Sequence, residues 1–337
     1  MPEDFTWRDG ERLIRFGQSA AAEAESLLRE NGFTEYLLLT TERARASAPA
    51  LAERATAVVN VPTGKVDEIS ADLLGELSHA CESVVALGGG RVVDTAKAIS
   101  GAGAGRCAAV PTTLSGAELT PFHRLPKGVE GARMIRPALV IADPELMAGA
   151  PLTLLAASAM NALAHAMEAL YTPLANPVCE IAALRSASLI ARGVTTDPPD
   201  REALALAALL AGYASGATGI AVHHALSQSI VRTAGSPHAQ TNAVMLPHSA
   251  RLMAGRAPGA LGGLASALGD PTEDPDAAAG AVARLSARCG HVRLATLGVT
   301  DDHLPEAAAA TQSHPALANT PDPPGEDELL ALMRDAL

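Results

Sequence analysis

The chain predicts an α/β N-terminal domain with a doubly wound parallel sheet, followed by an all-α C-terminal domain. Three observations carry this expectation. Short apolar runs without polar alternation, at Tyr36–Thr40, Val84–Leu87 and Cys107–Val110, read as strands buried on both faces. Helical segments separate them, which is the alternation that builds a parallel sheet. Beyond about residue 150 no convincing strand appears, and alanine-rich helical patterns fill most of Leu152 to Leu337. At 337 residues the chain exceeds one ordinary core, so two domains are expected, over 1–150 and 151–337.

In order, Arg12–Phe16 (RLIRF) reads as a short strand. Gly17–Glu30 reads as an amphipathic helix ended by Asn31-Gly32. The strand Tyr36–Thr40 (YLLLT) follows, then a third short strand at Val58–Val61 and a helix from about Glu68 to Ser78. Val84–Leu87 runs into Gly88-Gly89-Gly90, and Val92–Ser100 is helical again. Cys107–Val110 leads into Pro111-Thr112-Thr113, and Asp143-Pro144-Glu145-Leu146 looks like the exit from the sheet. The helical half is broken at Pro173, Pro177, Pro198-Pro199, Pro237, Pro258 and Pro271. Pro321–Pro324 makes a stiff loop before a final short helix.

Composition removes several function classes. A net charge of -12 argues against a general binder of nucleic acid or anionic membrane. No apolar run approaches a membrane span, and Met1–Glu11 is polar and acidic, unlike a signal peptide. The four cysteines, Cys81, Cys107, Cys179 and Cys289, form no CxxC pair, which suits reduced, buried thiols in a cytoplasmic protein.

Two regions carry chemistry. A strand, three glycines and a helix place bare backbone N–H groups at a helix N-terminus, a seat for a pyrophosphate. The spacing is not G-x-G-x-x-G, and a tight turn is the competing reading. Asp94 and Lys97 stand three apart on the following helix and are placed to pair with each other. Gly88–Gly90 and Thr112–Glu118 both fall beyond strand carboxyl ends, where an α/β sheet binds ligands. At the end of the Tyr36–Thr40 strand, Thr41 stands where an NAD-specific site places Asp or Glu, so nothing there repels a 2′-phosphate. Arg43 and Arg45 either attract one or are simply solvated.

The second region is histidine-rich: four of the ten histidines fall between Ala221 and His248. Asn161, His165 and Glu168 stand at i, i+4 and i+7, and His224 and Gln228 repeat the i, i+4 relation. Two helices can thus aim His165 and His224 into one pocket, with His238 entering from the next turn.

Four blocks, VVALGGGRVVDTAKAIS at Val84, VPTTLSGAELTPF at Val110, MNALAHAMEALY at Met160 and VHHALSQSIVRTAGSPHAQTNAVMLPH at Val222, occur in order. Together they resemble the iron-dependent (group III) alcohol dehydrogenase superfamily, which shares its fold with dehydroquinate synthase. Within it the blocks are most similar to those of maleylacetate reductases. The resemblance implies an NAD(P)-binding domain, a helical catalytic domain and catalysis in the cleft between them. It implies NADH or NADPH as cofactor, seated by Gly88, Gly89, Gly90, Asp94, Thr41, Thr112, Thr113 and Leu114. It also implies catalysis by His165, His224, His238, Gln228 and Asn161 on a small-molecule substrate, in the form of a carboxylate, by a homodimer. In metal-dependent members an Asp and three His hold the ion. Here Asn161 replaces the Asp, while His165, His224 and His238 match the histidines as candidate ligands for Zn or Fe. Gln228 replaces a further histidine, and Arg91 replaces the serine after the glycine triplet. Arg232 and His223 are candidate carboxylate contacts. The expected function is a reductase of a small oxo-acid or enone. The alternative, motivated by Arg91, is a redox-inactive member running dehydration, isomerisation or cyclisation.

Overall fold

The computed structural model describes residues 4–76, 82–103 and 105–337. The chain divides into two compact units, Met1–Gly149 and Ala150–Leu337.

The first unit is built on a seven-stranded sheet of order β1-β2-β7-β6-β5-β3-β4. Its strands are β1 (Phe5–Asp9), β2 (Arg12–Phe16), β3 (Leu37–Thr40), β4 (Ala57–Asn60), β5 (Ser83–Gly88), β6 (Arg106–Pro111) and β7 (Leu139–Ala142). Only β1 and β2 pair antiparallel; every other pairing is parallel. The sheet contains two strands that the hydropathy pattern does not announce. β1 lies at an edge and alternates half-buried with exposed residues, and β7 is only four residues long. The helices are α1 (Ala24–Glu30), α2 (Glu42–Ser47), α3 (Pro49–Glu53), α4 (Val66–Glu76), α5 (Gly90–Ala102) and α6 (Pro144–Met147). The expected end of the fourth helix at Ser78 lies outside the described residues, as does Cys81.

Both faces of the sheet are covered, as uninterrupted apolar strands require. Leu38, Val85, Leu87, Val110 and Ile141 face a cluster that includes Ala24 and Leu28 of α1. Leu37, Leu39, Val84, Ala86 and Ala109 face Ile69 and Leu73 of α4 and Val92, Val93 and Ala96 of α5. The doubly wound reading of this half therefore holds.

The second unit is helical: α7 (Leu152–Ala169), α8 (Pro177–Thr195), α9 (Arg201–Thr218), α10 (Val222–Ala234), α11 (His238–Ala254), α12 (Pro258–Ala267), α13 (Pro275–Ser286), α14 (Leu304–Gln312) and α15 (Glu326–Ala336). Prolines mark several helix starts: Pro177, Pro258 and Pro275 occupy the first turns of α8, α12 and α13. Pro237 stands at the N-cap of α11. Gly235 ends α10 in the left-handed region, at φ 69°.

Alanine dominates the contact between α7, α8 and α9. Ala156, Ala159, Ala162 and Ala166 of α7 are buried, as are Ala205, Ala208 and Ala211 of α9. The backbones approach closely enough for Ser186 on α8 to donate to the Ala207 carbonyl of α9 at 2.8 Å. Aromatic residues make up 2% of the chain, so helix proximity, rather than large side chains, fills this core. Among the described residues no single helix is long and apolar enough to cross a membrane.

Candidate active site

In the helical unit, His165 on α7 and His224 on α10 lie face to face. Their ring centroids are 4.1 Å apart and their planes differ by 21°. Behind His224 stands Glu168, one turn after His165 and fully buried. Its Oε2 meets His224 Nδ1 at 2.5 Å, and its Oε1 accepts the His224 backbone N–H at 3.1 Å. The carboxylate thus sits on the first turn of α10, where bare N–H groups and the helix dipole favour a negative charge. Burial raises the Glu168 carboxyl above its usual range, against the pull of the neighbouring histidines and those N–H groups. Burial also pushes His224 down to about 3, and the charges of His238 and His314 add to this. A neutral His224 bonded to a carboxylate through Nδ1 carries its proton there. Its Nε2, buried and without a protein partner, keeps the lone pair.

The other side chains frame this pair. His165 Nδ1 lies 3.1 Å from Ser215 Oγ on α9, and burial, then the charge of His224, holds His165 well below its ordinary value. Asn161, one turn earlier on α7, is buried with Oδ1 unpartnered. His238 is exposed at the start of α11, near enough for its charge to act on both His165 and His224. Gln228 Oε1 lies 3.3 Å from His314 Nε2, while His314 Nδ1 accepts the Ala316 N–H at 3.1 Å. The proton of His314 is therefore on Nε2 and is given to Gln228, whose amide nitrogen is left as a donor.

Glu168, Ser215 and His314 escaped assignment from sequence. Glu168 had a signal, its i+3 spacing from His165; Ser215 and His314 had none. His223, a candidate carboxylate contact, is instead fully buried. Its Nδ1 meets Ser249 Oγ and its Nε2 meets Asn242 Oδ1, both at 3.0 Å, so it serves the core. Arg232 is exposed near the end of α10. His248 lies on α11, where burial lowers it, and the charges that act on it are those of Arg251, Asp335 and Arg293 rather than this cluster.

In the sheet unit, Gly88 ends β5, Gly89 caps α5 without a side-chain bond, and Gly90 begins the helix. A Cβ on Gly88 would come within 2.7 Å of Val92, and one on Gly89 within 2.9 Å of Thr113 Cγ2. A Cβ on Gly90 would stand 3.2 Å from Ser115. The triplet is therefore also a packing requirement, which brings the Thr113–Ser115 segment directly against the turn. Thr112 N donates to the Gly88 carbonyl at 3.0 Å. Thr113 Oγ1 and Arg91 Nε are buried without partners beside the open end of α5. Three other expected contacts have structural employment. Asp94 pairs with Lys97 at 2.7 Å, Thr41 caps α2 by accepting the Ala44 N–H at 3.3 Å, and the Leu114 side chain is fully buried.

Residues 155–337 match the Fe-containing alcohol dehydrogenase family, C-terminal part, and residues 15–151 match iron-containing alcohol dehydrogenase. The chain belongs to the iron-containing alcohol dehydrogenase family. It is 33% identical to a maleylacetate reductase of Sphingobium indicum, across 96% of this chain and 95% of that one. It is 38% identical to maleylacetate reductase 1 of Rhodococcus opacus, across 67% of this chain and 65% of the relative. The crystal structure of maleylacetate reductase from Agrobacterium tumefaciens shares its fold with a TM-score of 0.84 at 29% identity, covering 100% of this chain and 99% of that one. This family member is an oxidoreductase, and more narrowly a reductase; the redox-inactive alternative is not favoured.

The family's name carries iron, and His165, His224 and His238 are the candidate ligands. Among the described residues no three His, Cys, Asp or Glu side chains are grouped so as to hold a metal ion. Stacked rings do not splay from one point as tetrahedral coordination requires, and Asn161 adds no negative charge. The residues present do not fit a resident metal.

Proposed function

We propose that the chain is a nicotinamide-dependent reductase of a small oxo-acid or enone that bears carboxylates, the class to which maleylacetate belongs. NADH or NADPH, when bound, supplies a hydride. The sheet unit offers it the uncapped N-terminus of α5, the buried and unpartnered Thr113 Oγ1, and the Arg91 guanidinium as an added cation at the pyrophosphate seat. No carboxylate stands at Thr41 to repel a 2′-phosphate, so NADPH is accommodated as readily as NADH.

The observation that carries this reading is His224 Nε2: buried, unpartnered, and backed by Glu168 through the opposite ring nitrogen. Such an imidazole exchanges one proton with a substrate, and the carboxylate behind it fixes the tautomer and stabilises the imidazolium when Nε2 is protonated. During reduction His224 first takes a proton from solvent onto Nε2, becoming an imidazolium backed by Glu168, and then delivers it to the substrate carbon or oxygen that becomes electron-rich as hydride is accepted. The Gln228 amide, turned by His314, donates a hydrogen bond to the developing oxyanion. Asn161 presents a second amide to the substrate, and the exposed His238 links the site to solvent protons. Gln228 cannot itself relay a proton, so this work falls to the Glu168–His224 pair. The buried, reduced Cys107, Cys179 and Cys289 suit a cytoplasmic enzyme.

Mixing the protein with NADH or NADPH and maleylacetate, and following loss of the reduced nicotinamide absorbance, tests the reading. Oxidation of the cofactor that disappears in His224→Ala is expected. No oxidation with either nucleotide counts against it.

A further inference from the structure

A second buried cluster lies within the sheet unit. Lys97 on α5 has no exposed surface. Its ammonium donates to the carbonyls of Ala117 at 2.8 Å, Thr120 at 3.2 Å and Phe122 at 2.7 Å, and pairs with Asp94 at 2.7 Å. From β2, the nearly buried Arg12 donates through Nη1 to the Leu119 carbonyl at 3.1 Å. The stretch from Ala117 to Phe122 belongs to no helix or strand. Four of its carbonyls are instead held by these two cations. Glu118, within the same stretch, is fully buried with neither carboxyl oxygen partnered.

A buried lysine is costly unless its charge and all its protons are engaged. What this one secures is position. The strapped stretch directly continues the Thr113–Ser115 segment that rests on Gly89 and Gly90. Lys97 itself stands on the helix that the glycine turn opens, two turns from its start. The lysine thus ties together the two walls of the proposed pyrophosphate seat, one the α5 N-terminus and the other the segment after β6. Without the tie, each binding event must order that second wall.

We infer that Lys97, with Asp94, is a positioning residue for the nicotinamide nucleotide, setting the distance between the glycine turn and the Thr113–Ser115 segment without touching the nucleotide. This rests on reading the sheet unit as the nucleotide site. The consequence is selective. Loss of the tie weakens nucleotide binding and leaves the proton chemistry of the helical unit intact.

The test is titration of wild type, Lys97→Met and Asp94→Asn with NADH and NADPH by nucleotide fluorescence, alongside steady-state kinetics. Lys97→Met is expected to raise the nucleotide Kd and KM at least about tenfold, with kcat at saturation and the KM for the oxo-acid changed less than about threefold. Asp94→Asn, which keeps the three carbonyl bonds, is expected to raise them about two- to fivefold. If Lys97→Met does not fold, Asp94→Asn decides. Nucleotide Kd unchanged in the folded variants overturns the inference, as does a parallel fall in every kinetic parameter. Wild type that binds neither nucleotide overturns the reading of the sheet unit, and the inference with it.

Discussion

Replacing Glu168 by Gln tests the proposed chemistry at one atom. The volume is kept, but one oxygen becomes NH2, and both oxygens of Glu168 now face donors: His224 Nδ1–H at 2.5 Å and the His224 backbone N–H at 3.1 Å. If the amide nitrogen faces the backbone N–H, two buried donors oppose each other, at a cost of about 1–3 kcal/mol. If it faces the ring, Nδ1 must accept, and the imidazole proton moves to Nε2. The second arrangement avoids a buried clash, so it prevails, and it inverts the tautomer. The imidazolium also loses its counter-charge. Losing a carboxylate behind a catalytic histidine costs up to ~10⁴-fold in kcat, and general acid–base catalysis overall contributes about 10²–10⁴-fold. The expected fall is therefore about 10²–10⁴, or roughly 3–5 kcal/mol of barrier. Steady-state turnover with saturating nucleotide and oxo-acid measures it, and calorimetric titration should give an unchanged nucleotide Kd. A kcat within about tenfold of wild type would refute the assignment of the proton step to this pair.

Four further outcomes follow from the structure. Burial lifts the Glu118 carboxyl from 4.5 to about 7. The folded state therefore holds its proton more tightly than the unfolded chain, and stability is lost as pH rises from about 4.5 through 7, by up to ~3 kcal/mol. Glu118→Gln should accordingly stabilise the protein against urea at pH 8 and barely at pH 4.5; an equal effect at both would exclude a neutral Glu118. His223 is pushed from 6.5 down to about 3, so the unfolded chain binds its proton first and stability falls as pH drops from about 6.5 towards 3. Replacing His223 by Gln should flatten that acid limb of the denaturation midpoint curve. A Cβ on Gly101 would lie 2.1 Å from the Arg133 carbonyl oxygen, a backbone atom that cannot turn aside, so Gly101→Ala should destabilise by about 3 kcal/mol, read from the same curves. Prolonged dialysis against a chelator should leave the rate unchanged, and metal analysis of the active protein should find no stoichiometric ion.

β5 and β6 were legible because uninterrupted apolar runs fill them, and each begins and ends within about a residue of its run, Val84–Leu87 and Cys107–Val110. β1 was not, because an edge strand with one solvated face has the composition of a loop. The short α2 and α3 lack the two turns that a helical period needs to declare itself. At the site, spacing was enough to bring His165 and His224 onto facing helices. It could not separate His223 from His224. Neighbours on a helix point about 100° apart, and only packing determines that one ring meets Glu168 while the other is locked between Ser249 and Asn242. Glu168 lay in plain view in the Met160 block, yet a glutamate on a helix is ordinarily solvated, and its burial depends on α10 arriving end-on. Asp94 and Lys97 were visible as a pair; the three carbonyls that share the ammonium come from a stretch with no regular structure to predict.

The alanine packing of α7, α8 and α9 also limits how this enzyme can diversify. Substrate range in many enzymes widens when a bulky wall residue is trimmed, but along the helix that bears His165 the neighbours Ala162, Ala164 and Ala166 are already about as small as a chiral residue allows. Larger replacements there collide with an adjacent backbone instead of reshaping a cavity. New specificity must therefore arise from connecting segments and from side chains such as Gln228 and His314, while the helical scaffold stays fixed.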